Sequence, residues 1–567
     1  MKQTSDLKNL VIALALSTLI LVGWQFFIET PRKKAEALAQ KMHAHAELEI
    51  KKEAEINATA FLPQSRAESL ADSPRVRIQS DNLHGSIALK GLRFDDLTLA
   101  KYHETLDKSS PEVVLLSPSA DANSYFAEFG WVPGNKSVKL PTPDTVWASD
   151  SETLTSAKPI TLSWENGEGI TFTVKIALDE KYMFTLTQSA KDADGKDIAL
   201  QSYAYINRVY DIKTHPALGI LHEGPLGVFD GTLQELSYKK LLDEKEQHFE
   251  TESGWMGISD KYWLSAIVPP AESFNARFSS YVSKGRQHFQ TDYLSPEQPE
   301  TTLHFFTGAK ELSVLDDYAA RYHIPLFDRA VDFGMFYFLT KPIFLTLNYF
   351  YALIGNFGIA ILLLTVLVKL LMFPLANKSF KAMNHMKELQ PKMNEIRERC
   401  KDDKLKMNQE VMELYKREKV NPASGCLPLF VQIPVFFSLY KVLYVTIEMR
   451  QANFFGWVHD LSASDPTNLF TLFGMLNWQP PALLHLGIWP MIMCATMIIQ
   501  QTQSPPPPDP VQAKIMKLLP FFFLYLFSSF PAGLVIYWSW SNTLSILQQW
   551  YIKEKHSSDK AKKIKAK

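Results

Sequence analysis

The sequence predicts an α-helical polytopic membrane protein with six transmembrane helices and a large all-β sandwich domain outside the cytoplasm. Three observations predict this class. Long apolar runs occur at residues 10–28 and repeatedly after residue 350. Residues 76–327 instead carry short alternating β-type runs separated by turn residues. Basic residues cluster in only some of the loops between the apolar runs, which indicates an orientation across a membrane.

Averages over the whole chain conceal this division. The chain has 567 residues, a net charge of -1 and a mean hydropathy of -0.10, which are values of an ordinary soluble protein. The balanced charge excludes a uniformly cationic nucleic-acid binder, and 46% hydrophobic residues exclude a wholly disordered chain. Three cysteines are too few for a disulfide-stapled scaffold.

Residues 1–28 are predicted to form an N-terminal transmembrane signal anchor. This mostly apolar run of about 19 residues, at about 1.5 Å each, approaches the ~30 Å thickness of the hydrocarbon core. The end of this run, from Trp24 to Ile28, offers no small residues for signal cleavage, so we expect the anchor to remain attached. Residues 29–75 are rich in Ala, Glu, Lys and Gln and predict a polar linker without a core.

Residues 76–327 are predicted to form one large antiparallel sandwich. The run from Thr161 to Trp164 alternates polar and apolar residues, and Asn166-Gly167 then supplies a turn before a second β-type run. The next stretch, residues 328–350, is aromatic but also contains Asp332 and Lys341, which favours an amphipathic helix in the membrane interface.

Residues 351–552 contain five further apolar segments, which we interpret as five transmembrane helices. The last two are separated at residues 528–531, where two serines and Pro531 favour a break. Between the first two, residues 377–420 predict a cytoplasmic hairpin of two amphipathic helices, restarted near Pro391. Its methionine-rich face indicates either core packing or an adaptable surface for apolar segments. The five segments are residues 351–373, 426–447, 486–499, 515–530 and 534–552.

The distribution of basic residues predicts which side each loop occupies. The hairpin and the tail, residues 553–567, are rich in lysine and arginine. Residues 448–485 contain a single residue of these two types, Arg450. The positive-inside rule therefore places both termini and the hairpin in the cytoplasm and the β domain outside. The basic tail also suits anionic lipid or a phosphate backbone as a partner.

Lys369 is the most informative residue, because it interrupts an otherwise apolar membrane segment. A charge near the bilayer centre costs about 2.5–3.5 kcal/mol, so we expect either snorkelling to the interface or a water-filled cavity. Thr365 lies one turn earlier on the same helix face, while Gln432 and Asn542 lie inside other apolar segments. These side chains should face one another or water, although ordinary interhelical hydrogen bonding is the alternative.

Several chemistries have no sequence support. Nucleotide-binding, metal-binding and hydrolase motifs are absent from the sequence, so we predict no cofactor, no metal and no enzyme activity. A transporter or channel is one alternative, but it predicts internal repeats and acidic sites at mid-membrane, and the spans after residue 350 have neither. A membrane-anchored carbohydrate-binding module outside the cytoplasm is the other alternative, suggested only by the predicted sandwich.

Two long motifs resemble the bacterial YidC membrane protein insertases, whose relatives assemble proteins in mitochondria and thylakoids. The first contains residues 421–428, Asn-Pro-Ala-Ser-Gly-Cys-Leu-Pro, followed by Gln432-Ile433-Pro434. The second contains residues 530–538, Phe-Pro-Ala-Gly-Leu-Val-Ile-Tyr-Trp, followed by Asn542 and Gln548-Gln549. The layout of the whole chain is similar to that family, but its specific motifs lie after residue 327.

The resemblance implies a conserved five-helix insertase core with a hydrophilic groove, and a β-supersandwich similar to sugar mutarotase folds. One basic residue in that groove, usually arginine, attracts the polar flank of a nascent chain, and Lys369 occupies the matching position. Lysine keeps the charge but lacks the planar fork of arginine. The groove residues expected from the motifs are Lys369, Thr365, Gln432, Tyr537, Trp538 and Asn542.

The resemblance also implies a location and partners. A YidC-like protein resides in the bacterial inner membrane with its β domain in the periplasm. It takes nascent membrane proteins from the ribosome and the signal recognition particle system, alone or with the Sec translocon, and contacts membrane lipids. Each Leu, Ile, Val or Phe of a substrate gains about 0.3–0.6 kcal/mol on entering lipid, so insertion needs no nucleotide. Such an activity forms no covalent bond.

Overall fold

The computed structural model describes residues 63–132, 138–212, 221–270, 272–400, 403–418, 420–421, 427–472, 475–476, 478, 485–503 and 510–565. The predicted anchor and most of the predicted linker lie outside the described residues. The last part of that linker differs from the prediction, because Ser65 and Glu68 form a capping box that starts a short helix. An ion pair between Arg66 and Asp96 attaches this helix to the β domain.

The β domain consists of two sheets, which confirms the predicted sandwich. The first sheet has ten strands in the order β14-β17-β18-β11-β5-β3-β2-β1-β7, with β4 paired to β3. The second has nine strands in the order β13-β12-β15-β16-β19-β10-β9-β8-β6. The pairs are antiparallel except that of β1 with β7. In chain order the strands are β1 (Arg75–Gln79), β2 (Leu83–Ala88), β3 (Arg93–His103), β4 (Glu112–Leu116), β5 (Tyr125–Val132), β6 (Ala148–Ser149), β7 (Thr153–Leu154), β8 (Ile160–Glu165), β9 (Thr171–Leu178), β10 (Met183–Lys191), β11 (Leu200–Val209), β12 (Gly224–Phe229), β13 (Thr232–Glu235), β14 (Glu246–Thr251), β15 (Gly254–Ser259), β16 (Trp263–Val268), β17 (Phe274–Ser283), β18 (Arg286–Gln298) and β19 (Glu300–Ala309).

Four buried phenylalanines join the two sheets. Phe94 of β3 and Phe129 of β5 come from the first sheet, and Phe184 of β10 and Phe305 of β19 come from the second. The ring of Phe94 meets each of the other three edge to face, with centroids 5.1–5.4 Å apart. This geometry suits the aromatic quadrupole and adds to the burial of apolar area. Core burial therefore holds the sandwich together.

The hairpin predicted at Asn166-Gly167 is present. Strands β8 and β9 pair antiparallel, with Ile160 opposite Ile176. Gly167 has a φ of +75°, which glycine adopts without the clash that a Cβ would cause. The side chain of Asn166 accepts hydrogen bonds from the backbone N–H groups of Glu168 and Ile170 and closes the turn.

The remainder of the chain is mainly helical. Helix α4 (Tyr337–Ile354) starts and ends later than predicted, because a 3-10 turn at Phe327–Ala330 precedes it and Gly355, with a φ of +74°, ends it. It packs beside α5 (Phe357–Glu388) and α8 (Leu427–Val445), while Phe338 and Leu353 face outward. The helices are α1 (Arg66–Leu70), α2 (Tyr238–Glu244), α3 (Leu312–Arg321), α4 (Tyr337–Ile354), α5 (Phe357–Glu388), α6 (Gln390–Arg399), α7 (Lys404–Arg417), α8 (Leu427–Val445), α9 (Ile488–Gln503), α10 (Pro510–Phe527) and α11 (Ala532–Lys565).

Helix α5 corrects the predicted boundary between a membrane segment and the hairpin. We expected the segment to end at residue 373 and the hairpin to begin at residue 377, but one helix continues through both to Glu388. Packing explains this continuity, since Ala376 and Phe380 form a small buried cluster with Ile552 of α11. Helix α11 likewise continues to Lys565, so the predicted tail begins as an extension of that helix.

The hairpin that follows α5 has a core of its own. Pro391 lies in the first turn of α6, where a missing backbone N–H costs no hydrogen bond, so the proline restarts the helix. Asp403 caps α7 by accepting a hydrogen bond from the N–H of Lys406. Met386, Met393, Leu414 and Tyr415 are buried together, so this methionine-rich face packs within the hairpin.

Helix α5 is the described helix that is long and apolar enough, by length and composition, to cross a membrane. Helix α9 has 16 residues and α10 has 18, against 32 in α5. The chain breaks between α10 and α11 at the predicted serines and Pro531. Many apolar side chains on the helices are exposed, among them Leu345, Leu371, Phe430, Phe437, Leu518 and Phe522. Such an apolar surface is unusual for a protein in water and suits contact with lipid.

Candidate functional site

Lys369 lies on α5 and its side chain is directed at α11. Its Nζ donates a hydrogen bond to Oγ of Ser545 over 2.9 Å. The hydroxyl of Ser545 in turn donates to the backbone oxygen of Ser541 over 3.0 Å. Among the described residues, no carboxylate lies within ion-pair distance of Lys369. A neutral hydroxyl therefore holds this charge between two helices.

Thr365 is buried one turn before Lys369. Its hydroxyl donates to the backbone oxygen of Ile361 over 2.7 Å, so its proton is used within α5. Bonding of this kind to the preceding turn satisfies a hydroxyl in apolar surroundings without a partner helix. The oxygen of Thr365 remains an acceptor beside Lys369.

Gln432 and Tyr537 join α8 to α11. The Nε2 atom of Gln432 donates to the phenolic oxygen of Tyr537, which is 2% exposed. Next to it, Trp538 packs against the rings of Phe436 and Phe527, with centroids 4.7 and 5.0 Å away. Tyr537 thus makes a polar contact, while its neighbour Trp538 belongs to an aromatic cluster between α8, α10 and α11.

Asn542 connects α11 to α9. Its Nδ2 donates to Oγ1 of Thr496 over 3.2 Å, and its side chain is nearly buried. Within the described part of the chain, no hydrogen bond connects Lys369 to Gln432, Tyr537 or Asn542. The six predicted residues therefore form separate contacts, most of them spaced along α11.

The predicted groove residues did not include three polar residues of this region: Ser545, Thr496, and Gln549, which was named only as part of the second motif. Ser541, Ser545 and Gln549 are buried and recur every four residues, so they form one polar stripe on α11. The signal was available, because the four-residue spacing of these side chains can be read from the last apolar segment of the sequence. Thr496 gave no such signal, since it occurs singly in an apolar segment.

A second group of buried charges lies where the β domain meets the helices. Lys310 is 2% exposed, and its Nζ donates to Oγ of Ser259 over 2.9 Å and to the backbone oxygen of Ala330 over 3.1 Å. Burial lowers the pKa of Lys310 to about 8 and that of His222 to about 4. Both groups already use their partners within the fold, so we interpret them as structural.

The β domain offers little to a sugar ligand at its described cavity. The cavity is lined by Arg75, Trp147 and Asp150 among other residues. Trp147 is 3% exposed and packs on Trp131, so its ring is not free to stack on a sugar. Arg75 is paired with Asp95. This arrangement does not favour the carbohydrate-binding alternative.

No group of three His, Cys, Asp or Glu side chains suited to a metal ion occurs in the described ranges. Cys400 and Cys494 are buried free thiols on separate elements. The described part of the chain therefore offers no candidate metal centre.

Comparison with known proteins defines the class of this chain. Residues 349–560 match the family described as 60Kd inner membrane protein, and residues 75–346 match the YidC periplasmic domain. These two matches together define an inner-membrane protein that carries a periplasmic β domain.

Relatives place the chain in one family. The membrane protein insertase YidC of Rickettsia bellii is 50% identical over 557 residues, which cover 97% of this chain and 99% of that protein. The homologue of Rickettsia conorii is 49% identical over 562 residues, with the same coverage. The match to a crystal structure of an active YidC insertase covers 85% of this chain and 93% of the chain in that structure. The sequence identity is 16% and the TM-score is 0.36.

This chain belongs to the YidC family of membrane protein insertases. The resemblance read from the two motifs is confirmed by the family matches and by the relatives. That family is one of insertases, which agrees with the prediction that the protein is not an enzyme.

Proposed function

We propose that this protein inserts nascent membrane proteins into the bacterial inner membrane by means of a hydrophilic groove that contains Lys369. The observation that carries this proposal is the charge of Lys369, held between α5 and α11 by the neutral hydroxyl of Ser545. A cation without a described carboxylate partner retains its attraction for an incoming acidic or carbonyl-rich segment.

The mechanism follows from the donors and acceptors at the site. The ammonium of Lys369 has three N–H donors, and Ser545 accepts one, so two can contact the polar flank of a substrate. The buried hydroxyls and amides of α11 line the path beside it and lower the cost of carrying that flank through the apolar layer. The apolar part of the substrate then partitions into lipid, at about 0.3–0.6 kcal/mol gained per large apolar residue.

The proposed topology has six transmembrane helices, with both termini in the cytoplasm and the β domain in the periplasm. One helix is the anchor at residues 1–28, and five form the core at residues 351–552. A polar linker (29–75), the β domain (76–327), an interfacial helix (328–350), the hairpin (377–420) and the tail (553–567) complete the proposed division. The basic residues of the hairpin and the tail support this orientation.

The proposed partners are the nascent chain, the ribosome and signal recognition particle system, the Sec translocon and membrane lipids. The hairpin supports a cytoplasmic partner, because its exposed surface carries lysines and arginines along with Leu405 and Met412. A surface of that kind suits the anionic backbone of a ribonucleoprotein. The exposed apolar side chains of α5, α8 and α10 support contact with lipid.

The test is insertion of a short single-span substrate into liposomes that contain the purified protein. We expect insertion well above that in protein-free liposomes, and equal insertion in both would overturn the proposed function. Lys369→Arg should retain insertion, because the charge is preserved. Lys369→Glu should reduce insertion of a substrate with an acidic flank by about tenfold or more, since two like charges would meet in a medium of low dielectric. Equal activity of both variants would remove this charge from the mechanism.

A further inference from the structure

Lys369 has a flexible side chain, and something must hold its ammonium inside the protein. A lysine stem has four carbons and normally carries the charge towards water, which in a membrane means towards the interface. Here the side chain instead reaches across to α11, where its Nζ lies 2.9 Å from Oγ of Ser545. That contact joins residues 176 positions apart in the sequence.

Ser545 is arranged as an acceptor. Its hydroxyl proton is donated to the backbone oxygen of Ser541 over 3.0 Å, which leaves the lone pairs of Oγ for the ammonium. The side chain is 6% exposed, so water has little access to compete for this oxygen. A hydrogen bond to a charged group in such surroundings is stronger than one between neutral groups.

We propose that Ser545 is the positioning residue for the Lys369 ammonium: it holds the charge between α5 and α11 and leaves two N–H donors for the substrate. This inference rests on the proposed function and deepens it, because it assigns a residue of α11 to the placement of the groove charge. A point charge fixed at this place favours a polar flank that carries carboxylates over one that is neutral. Ser545 is neutral, so its role is to fix the position of the ammonium.

The chain offers a matched control for Ser545. Ser539 lies on the same helix, is also buried, and donates to the backbone oxygen of Val535 over 2.8 Å. It shares with Ser545 the bond to the carbonyl four residues earlier but makes no described contact with Lys369. Ser539→Ala therefore reproduces the local effect on α11 and leaves the ammonium in place.

The experiment measures how fast a water-soluble amine reagent labels Lys369 in proteoliposomes, with the labelled peptide quantified by mass spectrometry. In Ser545→Ala the freed ammonium should reach water, and the labelling rate should rise about tenfold, the equivalent of one hydrogen bond to a charged group. Ser545→Thr should keep the wild-type rate, because its hydroxyl can make the same two contacts. Lys310, which is buried in the β domain, should stay unlabelled and reports that the variants are folded.

A second readout is the ratio of insertion between two substrates that differ only in an acidic or a neutral flank. Ser545→Ala should lower that ratio by about the same tenfold, while Ser539→Ala and Ser545→Thr leave it unchanged. Equal labelling of Lys369 in Ser545→Ala and Ser539→Ala would overturn the positioning role. Failure of the proposed function has a different signature, since the wild-type protein would then insert neither substrate better than protein-free liposomes.

Discussion

Tyr537 is buried on α11, and its phenolic oxygen accepts a hydrogen bond from Nε2 of Gln432 on α8. At the scale of single residues, such pairs determine whether polar side chains are tolerated inside an apolar bundle. A buried hydroxyl that loses its partner keeps the full cost of desolvation, whereas a pair that is removed together leaves nothing unsatisfied. Losing one partner of this contact should therefore destabilise the protein more than losing both.

A double-mutant cycle can test this view of the pair. Gln432→Leu should lower the free energy of unfolding by about 1–3 kcal/mol, because the hydroxyl of Tyr537 is left buried without its partner. Adding Tyr537→Phe should recover much of that loss. The measurement is thermal unfolding of the purified protein in detergent. Additive effects of the two substitutions would contradict the coupling.

At the scale of elements, helix α3 depends on a residue from another part of the chain. Glu311 precedes α3 but makes no capping hydrogen bond, since its Oε1 accepts from the hydroxyls of Tyr102 and Tyr182. The N–H of Leu312 instead donates to Oε1 of Glu448, which lies just after α8. A carboxylate at a helix N-terminus is favoured by the helix dipole. Glu448, a residue that follows α8, thus caps the N-terminus of α3.

Glu448 makes this cap sensitive to pH. Its Oε2 is buried with no hydrogen-bond partner among the described residues, and Glu311 and Tyr102 are the titratable groups that face it. Burial, together with the nearby charge of Glu311, raises the pKa of Glu448 to about 7. The folded state therefore binds the proton more tightly than the unfolded state does. The free energy of unfolding should fall as pH rises from about 4.5 to about 7, by at most about 3 kcal/mol.

The variant Glu448→Gln checks this expectation. Glutamine keeps an oxygen for the N–H of Leu312 and brings an N–H₂ group that can donate to Glu311. The free energy of unfolding, measured from pH 5 to pH 8, should depend much less on pH in this variant than in the wild type. At pH 8 the variant should be the more stable of the two proteins. Parallel pH profiles for the two proteins would show that another group is responsible.

At the scale of the whole molecule, charged contacts lie in the segment where the β domain meets the helices. Lys441 of α8 pairs with Asp332 over 2.8 Å, and Lys341 of α4 pairs with Asp328 over 2.7 Å. Burial alone would raise the pKa of Asp332, but Lys441 and the backbone N–H of His222 outweigh it and lower the pKa. Breaking a partly buried pair leaves an uncompensated charge. Because the N–H of His222 in the β domain also donates to Asp332, the pair with Lys441 joins the domain to the bundle.

Loss of the pair between Lys441 and Asp332 should loosen this attachment. Lys441→Met leaves the carboxylate half-buried without its cation and should cost about 1.5–3 kcal/mol. Limited proteolysis should then cut faster near Gly334, between the β domain and α4. Lys239→Met, at an exposed lysine of the β domain, is the matched control and should leave the rate unchanged. Equal rates for the two variants would mean that this pair does not hold the domain.

The sequence by itself determined the features that depend on neighbouring residues. The β8–β9 turn follows from Asn166-Gly167, the break between α10 and α11 follows from the serines before Pro531, and the two motifs identified the family. Local periodicity and turn chemistry suffice there, because each signal lies within a few residues. Lys369 could likewise be selected from its position in an apolar run.

Only the tertiary structure decided which distant faces meet. Packing against Ile552 extends α5 beyond its predicted end, and Ser545 receives Lys369 from a helix 176 residues earlier. Glu448 caps α3 in the same way, across the junction of the two regions. Such contacts depend on how helices rotate and pack against each other, and no local pattern in the sequence records that rotation.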